Sequence, residues 1–213
     1  FVLATAVGAL VGAATALFIG ILSWSARTVS SQPSYFLLLP LGLLLSSVIV
    51  RYVEPDAKGY GTDRVIDAVH RVSGKIRARV IPAKLAATVI TASTGGSVGQ
   101  VGPCSQIGAA LASLFADLLR FGDGDRRKLV ICGISAGFAS VLGAPVAGAI
   151  FGLEVLFMGS ILYEVLLPSF IAGVTSYHVS TLLGITYLHV PLGVTEPLSE
   201  AFLLKVVFAG IFF

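Results

Sequence analysis

Thr94-Gly95-Gly96-Ser97-Val98-Gly99-Gln100-Val101-Gly102-Pro103 sits in the middle of an apolar stretch, 85–116, that holds no Asp, Glu, Lys or Arg. The stretch is long enough to cross about 30 Å of hydrocarbon as a helix. Its centre is too rich in glycine to stay helical, and Pro103 suits the first turn of a new helix. The pattern therefore predicts two short helices with a break between them. Lipid offers no hydrogen-bond partners, so non-helical backbone at membrane depth must be buried in protein or line a watery cavity. The break is a candidate functional site, and the alternative is a packing kink relieved by neighbouring helices.

The flanking sequence agrees with a membrane setting. Uncharged runs also cover 1–26, 28–50, 129–153 and 165–195. Of the 213 residues 56% are hydrophobic and only 12% charged, with 24 glycines and 2 cysteines. That is about half the charge of a soluble domain. It excludes a soluble globule, a disulfide scaffold and a disordered tail. The expectation is an all-α polytopic transmembrane protein with broken or re-entrant helices, 1–213 forming one transmembrane domain with no soluble domain. The first run has no charged segment before it, so no signal peptide is expected, and a chain starting at Phe1 is expected to be cut from a longer one.

Eight of the fourteen basic residues lie between Arg51 and Lys84, against four acids, and Arg120, Arg126, Arg127 and Lys128 form a second cluster. The positive-inside rule places 51–84 and 120–128 in the cytoplasm. These charges read as topology signals facing lipid phosphates, and no nucleic-acid partner is expected. With both clusters inside, 85–116 must enter and leave on one face.

A helix opening at Gly102-Pro103 would present unpaired N–H groups carrying roughly half a positive charge, an arrangement that attracts anions. The stretch has no Lys or Arg, so the attraction is expected to come from dipoles, weak enough for a conducted ion to leave. Gly59-Tyr60-Gly61-Thr62-Asp63 reads as a second helix opening, with Thr62 and Asp63 as capping types and a helix running on through Val65, Ile66 and Val69. An ordinary cap is the alternative. Two openings aimed at one point would make an ion site. A third unusual segment, Gly143-Ala144-Pro145, divides 126–158 into two short helices at Leu142 to Pro145. Gly8 and Gly12, Gly133 and Gly137, and Gly148 and Gly152 have the small-xxx-small spacing of close helix packing.

Three motifs in this order, Gly59-Tyr60-Gly61, Gly99-Gln100-Val101-Gly102-Pro103, and Gly143-Ala144-Pro145-Val146-Ala147-Gly148 followed by Phe151-Gly152-Leu153-Glu154-Val155, resemble the CLC family of chloride channels and chloride/proton exchangers. The resemblance covers the N-terminal half of a subunit and the start of the second half. It implies a homodimer in the lipid bilayer with one anion pathway per subunit, built between inverted halves. It puts Tyr60, Gly61, Gly99, Gln100, Val101, Gly102 and Pro103 on that pathway, with chloride as the transported ligand and no cofactor. The later Gly-x-Phe-x-Pro motif and coordinating tyrosine of the family are not in this sequence.

Departures from the family pattern carry the functional expectation. The gating and proton-carrying glutamate of exchangers is matched by Val101, and the internal proton acceptor by Val155; neither side chain ionises. Glu154 matches a glutamate shared by channels and exchangers and is assigned a structural role, although an acid inside a membrane is a functional hypothesis by default. Tyr60 matches the family's anion-contacting serine. Its hydroxyl allows coordination, its bulk allows narrowing of the inner mouth, and its ring could turn aside. Thr62 and Asp63 replace the usual Ile-Pro, and an Asp63 near the anion would repel it. The expectation is a passive chloride channel. The alternatives are a chloride/proton antiporter using another acid and a non-conducting membrane subunit.

Cys104 and Cys132 read as small packing residues. His70, His178 and His189 follow no metal-ligand spacing, so no metal is expected. Trp24 reads as an interfacial anchor. No phosphate loop, nucleophile triad or dinucleotide fingerprint points to an enzyme.

Overall fold

The computed structural model describes residues 1–30, 34–156, 163–187 and 199–212, all helix and connecting turn. In chain order the helices are α1 Val2–Ser30, α2 Leu39–Tyr52, α3 Thr62–Arg71, α4 Val80–Ser93, α5 Val101–Leu118, α6 Asp123–Leu142, α7 Pro145–Glu154, α8 Tyr163–Leu182 and α9 Glu200–Phe212. Short 3-10 turns at Tyr35–Leu38 and Pro55–Ala57 precede α2 and α3. Among the described residues four segments are long and apolar enough to cross a membrane: Val2–Val29, Tyr35–Tyr52, Val101–Leu118 and Tyr163–Leu182.

Both sequence-predicted breaks are present. The run 85–116 divides between α4 and α5, with 94–100 outside either helix. The run 129–153 divides at Gly143-Ala144 into α6 and α7, and so is not one straight span. Gly143 closes α6 in the left-handed region, φ 69°, where a side chain would be strained. The aromatic ring of Tyr187 lies over it, and the Tyr187 hydroxyl donates to the Ser140 carbonyl at 2.7 Å.

Close backbone contact, not side-chain bulk, builds the centre. A Cβ at Gly108 would collide with the Gly133 carbonyl, and one at Gly133 with the Gly108 carbonyl, so α5 and α6 meet backbone to backbone. Gly8 and Gly12 seat α1 on Ala172 and Ser176 of α8, while Gly148 and Gly152 seat α7 on α6 around Ser135 and Ala139. This is the packing use of the small-residue spacings. Phe138 and Phe151 stack at 4.1 Å between centroids and lock the α6–α7 pair. At the far end Arg126, with 12% of its side chain exposed, bridges Asp117 at 2.8 Å and Asp123 at 2.6 Å, stapling the end of α5 to the start of α6. Trp24 is exposed on the outer face of α1.

Candidate anion site at two helix openings

The charged connection after α2 turns through Gly59 and Gly61, whose φ angles of 83° and 106° suit glycine alone. Gly61 is the N-cap of α3 and no side chain caps it. Thr62 and Asp63, expected from the sequence to cap this helix, are instead its first helical residues; the glycine turn leaves no place for a side-chain cap. Asp63 is exposed and lies outside the cavity described below. There it favours the positive end of α3.

α5 opens at Val101, one residue before the Gly102-Pro103 expected from sequence, with Gln100 as an N-cap that makes no side-chain bond. The first turn closes with the Cys104 N–H donating to the Gln100 carbonyl at 3.1 Å. The openings of α3 and α5 touch. Gly102 packs under the Tyr60 carbonyl so tightly that a Cβ there would collide with it, and a Cβ at Gly61 would stand 2.9 Å from Gln106 Oε1 and 3.0 Å from the Gly102 carbonyl. Gln106 fixes the pair from behind by donating from Nε2 to the Asp56 carbonyl at 2.8 Å.

A cavity of about 980 Å³ lies against these openings, between α2, α4 and the 94–100 connection. Of the seven residues expected on an anion pathway, Tyr60, Gly99 and Pro103 line it. Gly61 and Gly102 are buried behind it and hold the two openings together, Val101 is half-buried, and Gln100 is exposed; none of these four belongs to the lining. Tyr60 is 66% exposed and borders the cavity. Among the described residues three cations, Arg51, Lys58 and Lys84, line the cavity, and no Asp or Glu does.

Lys84 is the residue that sequence reasoning misses. By position it belongs with the cytoplasmic topology charges, and dipoles alone are expected at the site. Yet Lys84 is only 5% exposed, and Nζ donates to the Gly59 carbonyl at 2.7 Å and the Ala57 carbonyl at 3.1 Å. A signal exists: Val80, Ala83, Lys84, Ala87 and Thr88 form the buried stripe of α4 at helical spacing. A lysine in such a stripe must serve something inside.

The third motif stands apart from the cavity. Glu154, the last residue of α7, is exposed, and Val155 is half-buried against the apolar core. Cys104 and Cys132 are buried free thiols. Among the described residues no group of His, Cys, Asp or Glu could hold a metal ion. His70 bonds the Ile66 carbonyl and His178 meets Tyr177 edge-on, while His189 lies outside the described residues.

Broken apolar helices, four of them among the described residues long enough to span a bilayer, define a multi-pass integral membrane protein. The chain belongs to the CLC family: the family model described as voltage gated chloride channel matches residues 42–213. A chloride/fluoride channel protein of Pseudomonas syringae pv. tomato is 35% identical over 211 residues, covering 99% of this chain and 46% of the relative. The crystal structure of a CLC-type fluoride/proton antiporter superimposes with a TM-score of 0.89 at 28% identity, over 99% of this chain and 53% of that one. A slow cyanobacterial Cl−/H+ antiporter shares the fold, with a TM-score of 0.82 at 21% identity, over 99% of this chain and 53% of that one. The chain thus spans about half the length of the relatives it resembles.

Proposed function

We propose that this chain forms one half of an anion pathway that passes halide, chloride in the first place, down its electrochemical gradient without moving protons. The observation that carries this reading is a cavity where, among the described residues, Tyr60, Gly99 and Pro103 meet three cations and no carboxylate. The valines at 101 and 155 stand where the family's exchangers carry protons. Neither can titrate at any pH. Tyr60, Gly99 and Pro103 then line the route, Gly61 and Gly102 set the spacing of the two helix starts, and Gln100 and Val101 stand beside it at the opening of α5. Glu154 is a structural acid outside the route. In the whole protein, a homodimer with one pathway per subunit, 51–84 and 120–128 face the cytoplasm.

A second reading concerns cargo and coupling. The 35% identical relative is named for chloride and fluoride, and the 28% identical structure is titled a fluoride/proton antiporter. Halide flux from liposomes holding the whole protein, measured with a proton gradient imposed, separates the readings. The expected reversal potential follows the halide gradient alone, for chloride or fluoride, and is unmoved by pH. Uphill halide movement driven by protons would overturn the passive reading, and absence of flux would leave a non-conducting subunit.

A further inference from the structure

A hydroxyl carries a single proton to donate. Around α4 most of these protons return to the helix itself: Thr91 donates to the Ala87 carbonyl at 2.8 Å, Ser93 to the Ile90 carbonyl at 3.1 Å, and Thr94 to the Ile90 carbonyl at 3.0 Å. Ser46 of α2 donates to the same Ala87 carbonyl at 3.3 Å. Thr88 is the exception. It lies on the buried stripe of α4 and is 5% exposed, yet among the described residues its hydroxyl has no hydrogen-bond partner. Nor is it a sealed orphan like Ser105 Oγ and Ser135 Oγ, which are closed off inside the core. The open space beside Thr88 is the cavity, which it lines together with Tyr60, Gly99 and Pro103. Ser47, Ser97 and Tyr60 border the same cavity but are exposed, so water competes for their protons. A buried donor that does not bond its own helix costs stability unless something in the cavity accepts from it.

We infer that Thr88 is a specificity-determining residue of the cavity: its buried hydroxyl donates to the halide bound there and favours the smaller anion. The inference rests on the cavity being an anion route and deepens that reading by naming what sorts one halide from another. Charges several ångströms away attract all halides nearly alike. A hydroxyl in contact does not, because the distance from its proton to the anion's centre follows the ionic radius, and the energy follows the inverse of that distance. Fluoride is smaller than chloride and holds its water more tightly. It therefore depends more on a fixed, charge-assisted donor in a wall where water cannot stand in. The rival account is packing, in which Thr88 fills the stripe of α4 and a water molecule takes its proton. Packing has no reason to distinguish two halides.

The test uses the whole protein in liposomes and in detergent. Thr88→Val removes the hydroxyl and keeps the branched shape, whereas Thr88→Ser keeps the donor. With fluoride on one side of the liposome membrane, chloride on the other and equal pH, the reversal potential gives the fluoride-to-chloride permeability ratio. That ratio is expected to fall about fivefold or more in Thr88→Val and to stay within about twofold of the original in Thr88→Ser. Binding in detergent is the second readout. The rise in unfolding temperature when sodium fluoride replaces sodium gluconate at equal ionic strength is expected to shrink in Thr88→Val by more than the rise in sodium chloride does. A ratio unchanged in Thr88→Val, or both halide fluxes lowered by one factor, overturns the inference in favour of packing. Should Thr88→Val fail to fold, Thr88→Ala is read in the same way. Absence of flux from the unmodified protein is the separate failure of the anion-route reading, and the unfolding temperatures then decide: equal losses of the two rises overturn the inference.

Discussion

Gly99 and Gly102 are three residues apart and call for different experiments. Gly102 lies against the Tyr60 carbonyl, so any side chain there moves the α3 opening and confounds folding with conduction. A Cβ at Gly99 meets nothing within 4 Å, and Gly99 borders the cavity. Gly99→Val should therefore place two methyl groups in the route at little cost to folding. Halide flux is expected to drop by about tenfold or more, with the unfolding temperature within a few degrees of the original, as for substitutions away from packed features. Normal flux would take the 94–100 connection off the pathway. The glycine-rich grammar makes the turns that bring Tyr60, Gly99 and Pro103 to the cavity legible, because glycine and proline report backbone events that leave marks in sequence. Lys84 is not legible in the same way: its role depends on which face of α4 is buried, and a lysine next to a basic cluster is ordinarily a surface charge.

At the scale of elements, the α5–α6 pair is the scaffold on which the site rests. α5 carries the opening at one end, and Arg126 staples its other end to α6. Between them the Gly108–Gly133 crossing leaves no room for a methyl group. Gly108→Val is expected to destabilise the protein by roughly 1–3 kcal/mol through overpacking, read as a fall in unfolding temperature whatever the anion. Unaltered stability would show that the helices can separate without cost. Both helix breaks are legible, since a Gly-rich or Pro-containing segment inside an uncharged run cannot continue a helix without losing backbone hydrogen bonds or conformational entropy. The start of α3 differs by one position from the sequence expectation because Thr and Asp are frequent caps, whereas here the φ of 106° at Gly61 makes glycine the cap. The run 129–153 looks like a span by charge count, yet it is shared between α6 and α7, a division that only Gly143-Ala144-Pro145 betrays.

Over the whole molecule, charge is distributed to work at a distance as well as by contact. The chain carries a net charge of +3, and among the described residues the cavity takes three cations without an acid. Lys84 is buried, but Arg51 and Lys58 are exposed and do not appear in any ion pair of the described residues. An exposed charge at an opening adds little binding energy once an anion has arrived. It raises the local anion concentration and the rate of arrival, and salt screens that effect over about 10 Å at 0.1 M ionic strength. The effect of the two exposed cations should therefore depend on salt. Neutralising Arg51 and Lys58 together, as Arg51→Gln and Lys58→Gln, is expected to lower halide flux severalfold at about 10 mM ionic strength, where the screening length is near 30 Å. At about 0.5 M, with an inert salt added at constant halide, the deficit should largely disappear. Liposome flux measured at fixed halide and varied inert salt checks this. A double variant whose deficit persisted at high salt would place Arg51 or Lys58 in direct contact with the anion and move the binding position toward the α2 side of the cavity.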